Sequence, residues 1–319
     1  MTSTNVSTAP GRVAIIGTGS RSMMFINGII DRPDARIVAF CEPNRVRAEF
    51  YNKHLEKRGQ VRVPVYKPEQ FGELLDAEKV DTVVITCIDA LHDLYIVPSL
   101  RKGGTLRFAG PVFGVFDPML PIVRVVTEKP MTTDVEKCRK INQAVRETGG
   151  SLTVTFNYRY NPVHEAVKRL IASGDIGNGT NLFLSINCSD HTYLFPIVLS
   201  VHFEWLLDTV HGADYFRRWH RHKSNSGGLM VHKSGHHFDL VNWWLDAQPV
   251  EVAGFGKLAF YGEEAGKKHG WAKDYVRAKG NEEAKKDPFA LLLEEDEILK
   301  GLYVDAERED GYYRDRNVR

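Results

Sequence analysis

The 319-residue sequence predicts an α/β fold, a Rossmann doubly wound parallel sheet, followed by an α+β domain with an open, mostly antiparallel sheet. Three observations carry that expectation. Short β-branched runs alternate with helical patterns between residues 12 and 156. The first of these runs ends in the glycine-rich turn Gly17-Thr18-Gly19-Ser20-Arg21-Ser22. Beyond Tyr158 the alternation stops, and helices are followed by strands that need not pair in parallel. Residues 1–157 are therefore expected to bind a dinucleotide. Residues 158–319 are expected to form a substrate-binding and oligomerisation domain whose C-terminal end reads as incomplete.

Each element has its own reason. Residues 12–16 are a short apolar run closing at Gly17, as a strand buried on both faces should be. Residues 22–30 continue as a helix, 36–40 are a second apolar strand and 45–58 a charged helix. Residues 61–66 are a candidate third strand, and 68–75 a further helix. The run DTVVIT at 81–86 is a strong buried strand, followed by a helix over 93–101 and a strand over 124–127. A helix over 133–147 is expected to be capped by Thr133 with Glu136 three residues on, and closed by Gly149-Gly150. Residues 152–156 add one more strand. In the second half, 162–173 and 234–245 read as helices, and 180–187 and 250–261 as strands with alternating faces. From Gly262 onward the charge-rich chain reads as solvated helix or loop rather than core.

Bulk properties narrow the partners. Hydrophobic residues make up 43% and charged residues 26%, and the net charge of +1 demands neither nucleic acid nor an anionic membrane. The longest apolar stretches are interrupted by charged residues or proline, so no membrane span is expected. The N-terminal MTSTNVSTAP lacks an apolar core, so no signal peptide is expected and a cytoplasmic location follows. Four cysteines without a CxxC pair indicate neither a zinc knuckle nor a disulfide framework.

The turn at Gly17 is GxGxxS, placed directly after a strand and opening a helix. Its first glycine makes the tight turn. The second lets a pyrophosphate approach the backbone at the helix N-terminus. Ser22, at the third glycine's place, is small enough for close helix–sheet packing. Glu42 closes the second strand, 20 residues after Ser22, where an acid binds adenosine ribose hydroxyls and repels a 2′-phosphate. NAD is expected in preference to NADP, although Arg45 and Arg47 pull the other way.

Further motifs follow in order: Cys87-Ile88-Asp89-Ala90-Leu91-His92, then Glu128-Lys129-Pro130, Asn157-Tyr158-Arg159-Tyr160-Asn161-Pro162, Gly174-Asp175-Ile176-Gly177, and Gly227-Gly228 through to Asp239. Together they resemble the Gfo/Idh/MocA family of glucose-fructose oxidoreductase and inositol dehydrogenase relatives. The resemblance implies that Asp89, His92, Glu128, Lys129 and Arg159 join Gly17, Thr18, Gly19, Ser20, Arg21, Ser22 and Glu42 around the cofactor. It also implies catalysis by Lys129 and His236, on a small carbohydrate substrate such as a sugar or polyol. Oxidising a hydroxyl needs a base for the O–H proton while the C–H hydride leaves for nicotinamide. An ammonium can stabilise the developing alkoxide, and a histidine can accept the proton near neutral pH. One departure stands out: the family's D-x-G-x-H becomes His232-Lys233-Ser234-Gly235-His236. A His232–His236 pair is then the candidate base, with Tyr158, Lys233 and His237 toward the substrate, Lys233 being suited to a carboxylate or phosphate.

Other readings stay open. The spacing of His232, His236 and Asp239 puts them on one helical face, but no HExxH glutamate intervenes and no metal is expected. Aromatic residues between Trp205 and His222 suit either sugar stacking or a core helix with a basic edge. The apolar segments 104–122 and 188–202 interrupt the family pattern; they read as retained introns or misplaced gene boundaries, with family-specific loops as the alternative. The same architecture also serves glycosidases or lyases with transient redox, and non-catalytic nucleotide-sensing regulators. Association into a homo-oligomer stays open.

Overall fold

The computed structural model describes residues 9–103, 123–174, 198, 200–271, 275, 280–290 and 293–310. The expected strand at 180–187, the Gly174–Gly177 turn beyond Gly174, the segment 104–122 and nearly all of 188–202 lie outside the described residues.

Six strands form one sheet, β1 (Gly11–Ile16), β2 (Ala35–Cys41), β3 (Val65–Tyr66), β4 (Thr82–Ile85), β5 (Arg124–Glu128) and β6 (Leu152–Thr155), in the order β3-β2-β1-β4-β5-β6. Every neighbouring pair is parallel. The helices between them are α1 (Ser22–Ile30), α2 (Arg45–Lys57), α3 (Phe71–Ala77), α4 (His92–Gly103) and α5 (Val135–Thr148).

Strand periodicity explains why the central strands are apolar throughout. In β1, Ala14 and Ile16 face a core with Phe71, Leu74, Ile96, Leu100 and Ile141 from α3, α4 and α5. Val13 and Ile15 face the opposite core with Ile26 of α1 and Tyr51 and Leu55 of α2. A side-chain period of two thus feeds both layers, and both need hydrophobic residues. β5 enters in register with β4, Thr82 opposite Arg124 and Ile85 opposite Thr127.

Three expectations need correction. Helix α5 is capped by Asp134, whose carboxylate accepts from Lys137 N at 2.9 Å, not by Thr133 with Glu136. Either residue type suits a cap, and the chain uses the one adjacent to the first helical turn. Residues 250–261 form no strand, and Val250 and Phe255 are fully exposed. An alternating run becomes a strand only when a partner satisfies its backbone, and every described strand belongs to the six-stranded sheet. Finally, the C-terminal stretch is partly core. Leu302, Val304 and Ala306 are buried in and beside a π-helical turn, Lys300–Asp305, and Leu302 joins the α1/α2 layer.

The second half is carried by helices, α6 (Pro162–Ser173), α7 (Thr209–Arg217), α8 (Lys223–Ser226), α9 (Leu229–His232) and α10 (Gly235–Leu245). α6 starts on Asn161, whose side chain accepts from Val163 N, and ends at Gly174 in the left-handed region. Among the described residues no helix is long and apolar enough to cross a membrane. Parallel order brings the C-terminal ends of β1, β4 and β5 together, the crevice where open α/β sheets bind ligands.

Candidate active site

The glycine turn is built by close backbone approach. Gly17 has φ +85°, and a Cβ there would lie 2.7 Å from Cys87 Cα. Its N–H donates to Cys41 O at 2.9 Å, and the Thr86 hydroxyl donates to its carbonyl at 2.7 Å. One residue therefore stitches the ends of β1, β2 and β4. Ser22 Oγ and Tyr51 Oη both donate to Gly19 O, at 2.7 and 2.6 Å, which fixes the first turn of α1.

Glu42 is buried, and its carboxylate accepts from Thr18 N at 2.8 Å, Thr18 Oγ1 at 3.1 Å and Asn44 N at 2.9 Å. The acid expected at the ribose thus also braces the glycine turn. Asn44 then caps α2, accepting from Val46 N and Arg47 N.

At the end of β5, Arg21 Nε donates to Glu128 at 2.6 Å, and the other Glu128 oxygen accepts from Lys129 N at 3.1 Å. The Lys129–Pro130 peptide is cis. His92 is wholly buried, with Nδ1 2.9 Å from Pro130 O and Nε2 3.2 Å from Cys87 O. That ring ties the β4 and β5 loops together.

Lys129 Nζ donates to His232 O at 2.9 Å and lies 3.5 Å from His232 Nε2. The other ring nitrogen of His232 is hydrogen-bonded to the Asp89 carboxyl. Burial pulls Lys129 down to about 8, against the opposing pull of Asp89 and Glu128. It also lifts Asp89 to about 7. Burial, reinforced by the Lys129 charge, pushes His232 down to about 3 and His236 likewise. Near neutral pH both imidazoles are therefore uncharged bases beside a lysine ammonium.

A further group of side chains comes from the second half of the chain. Tyr158, in the 3-10 turn Asn157–Tyr160, stacks on His236 at 4.0 Å and on Trp205 at 5.3 Å. Trp205 in turn stacks on His237 at 4.7 Å. Lys233 Nζ donates to Tyr158 Oη at 2.6 Å. Among the described residues, His236 Nδ1 and His237 Nε2 are buried without a hydrogen-bond partner. Arg159, expected at the cofactor, instead pairs through both nitrogens with Asp239 of α10, Nε to Oδ2 at 2.8 Å.

The family's NAD-binding Rossmann fold matches residues 11–106, and its C-terminal alpha/beta domain matches 197–296. This chain belongs to the Gfo/Idh/MocA oxidoreductase family. YteT of Bacillus subtilis strain 168, named for an oxidoreductase assignment, is 34% identical over 256 residues, covering 79% of this chain and 50% of its own length. The scyllo-inositol 2-dehydrogenase (NAD(+)) of the same organism is 21% identical over 256 residues, covering 77% and 57%. The chain thus spans about half the length of the curated relatives it matches. Among solved structures, the WlbA dehydrogenase of Bordetella pertussis, in complex with NADH and UDP-GlcNAcA, superposes with a TM-score of 0.52 at 20% identity. That match covers 76% of this chain and 57% of the other, and shows the fold.

Within this Gfo/Idh/MocA chain, Lys129 is bonded to His232, and the adjacent Lys233 begins a second group with Tyr158 and His236, which His237 joins through Trp205. Arg159 joins α10 rather than the glycine turn. Two contacts were not predicted from the sequence. Asp89 meets His232 across 143 residues, and Tyr303 reaches Ser20 across 283. An apolar patch around Leu302 inside a charged stretch was the only hint of the second contact.

Proposed function

We propose that this chain is an NAD-dependent oxidoreductase acting on a hydroxyl-bearing carbon of a sugar, polyol or related carbohydrate. The observation that carries the reading is Lys129 Nζ, from the loop after β5, bonded to His232 and close enough for its charge to bear on neutral His236. NAD, when bound, supplies the nicotinamide that accepts the hydride. Gly17, Thr18, Gly19, Ser20, Arg21 and Ser22 would hold its pyrophosphate, because the turn offers backbone donors at the start of α1. Glu42, at the end of β2, lends a negative charge that disfavours a 2′-phosphate.

The remaining steps belong to the side chains. The Lys129 ammonium polarises the substrate oxygen and stabilises the alkoxide as the proton leaves. His236, kept neutral by burial, accepts that proton, its Nδ1 having no competing partner among the described residues. His232 acts from behind: Asp89 orients its ring, and its backbone carbonyl accepts a hydrogen bond from the Lys129 ammonium, which fixes the lysine's direction. Tyr158, Trp205 and His237, stacked on one another, line the site with an aromatic column, and Lys233 places a donor beside it. The free thiols of Cys41, Cys87 and Cys138 suit a reducing, cytoplasmic setting.

A panel of inositols, aldoses and uronic acids tests the proposal. With NAD, one member releases NADH stoichiometrically, and Lys129→Met lowers kcat by roughly 10²–10⁴-fold while leaving NAD binding in place. NAD binding without NADH from any member, or an equally active Lys129→Met, refutes it.

A further inference from the structure

The cofactor cradle has an occupant supplied by the chain itself. Tyr303 Oη accepts from Ser20 N at 3.1 Å and lies 2.9 Å from Ser20 Oγ. Ser20 N is the backbone donor that the glycine turn presents just ahead of α1, where a pyrophosphate oxygen would sit. The contact is one of a series. Arg47 Nε donates to Leu302 O at 2.7 Å, and its guanidinium lies 4.7 Å from the centre of the Tyr303 ring. Asn44 Nδ2 donates to Ala306 O at 3.0 Å, and Arg45 N donates to the Asp310 carboxylate at 3.0 Å. Leu302 is fully buried against the layer containing Ile26, Tyr51 and Leu55.

The donors at the pyrophosphate turn and at the start of α2, beside the ribose acid Glu42, are thus engaged by one short segment. We infer that residues 300–310 form a strap over the pyrophosphate and adenosine-ribose half of the dinucleotide site, so that a dinucleotide phosphate must displace the Tyr303 hydroxyl to reach Ser20. The inference rests on the glycine turn being the cofactor site. Its anchoring is uneven. Leu302 is held by apolar burial, whereas Tyr303 is held at Ser20 by hydrogen bonds that a phosphate oxygen can replace. The strap can therefore release its hydroxyl without the segment leaving the fold.

Calorimetry of NAD against the full chain and Tyr303→Phe, with amide hydrogen exchange over residues 300–306, tests it. Removing the hydroxyl leaves Ser20 N–H without its competitor, so Tyr303→Phe binds NAD about fivefold more tightly, the worth of one net hydrogen bond. NAD also speeds exchange at 300–306 in the wild type. Tyr303→Phe binding NAD equally or more weakly, or NAD slowing exchange there, overturns the strap while the cofactor reading stands. If neither protein binds NAD, the cofactor reading fails and the strap falls with it.

Discussion

Gly17→Ala tests the cofactor turn most cleanly, because the structure fixes its cost from two independent features. The residue sits at φ +85°, which costs a non-glycine residue roughly 1–2 kcal/mol. The new methyl would also meet Cys87 Cα at 2.7 Å, Cys87 N at 2.8 Å and Cys87 Cβ at 2.9 Å. Two of these are backbone atoms at the end of β4, so relief requires moving the strand end, adding about 1–3 kcal/mol of overpacking. The sum is about 2–5 kcal/mol, or a fall in Tm of roughly 2 °C or more per kcal/mol. Gly28→Ala is the control. Gly28 is exposed in α1, and a methyl added there would meet nothing within 4 Å, so alanine should be neutral or stabilise by about 0.5–1 kcal/mol. Urea unfolding monitored by circular dichroism reads both. A loss below about 1 kcal/mol for Gly17→Ala would refute the claim that β1 and β4 meet at the van der Waals limit there.

Other consequences are as direct. Oxidation should decline above pH about 8 as Lys129 loses its proton, and Lys129→Arg should flatten that alkaline limb; a wild-type rate still rising through pH 8 would make Lys129 the base instead. Asp89, lifted to about 7, binds its proton more tightly folded than unfolded, so its contribution is full below the unfolded value near 4 and is lost as pH rises through 7. Asp89→Asn should therefore reduce the fall in urea midpoint over that window, and an unchanged pH dependence would count against a buried Asp89–His232 pair. Arg159→Ala leaves Asp239, only 9% exposed, without its partner. The cost should be about 1–3 kcal/mol, scaled down from a buried pair because Arg159 is 40% exposed, and a loss within error would show the pair to be decorative.

The Rossmann half was legible because its physics is local. GRVAII and TVVI are apolar on both faces, and only a strand covered by helices on each side needs that. α1 and α6 have the expected bounds, α6 because Asn161 starts it and Gly174 ends it. The cluster around Lys129, His236 and Lys233 was legible through family resemblance, since their spacing along the chain says nothing of their meeting. Less legible were features decided by tertiary partners. Residues 250–261 alternate like a strand yet lie exposed, because alternation states a preference that only a neighbour can satisfy. Leu302 and Tyr303 sit among charged residues and are captured by α1 and α2. The resemblance places Asp89 at the cofactor, and nothing in its spacing says that its carboxyl also meets His232.

The central claim is that a substrate C–H hydrogen passes to nicotinamide under the control of Lys129 and His236. The most direct measurement uses the carbohydrate that scores in the panel, deuterated at the oxidised carbon, with mass spectrometry of both cofactor and product. The account predicts one deuterium in the reduced nicotinamide and a ketone product, with both absent in Lys129→Met. Deuterium retained in, or returned to, the carbohydrate without net NADH would contradict it.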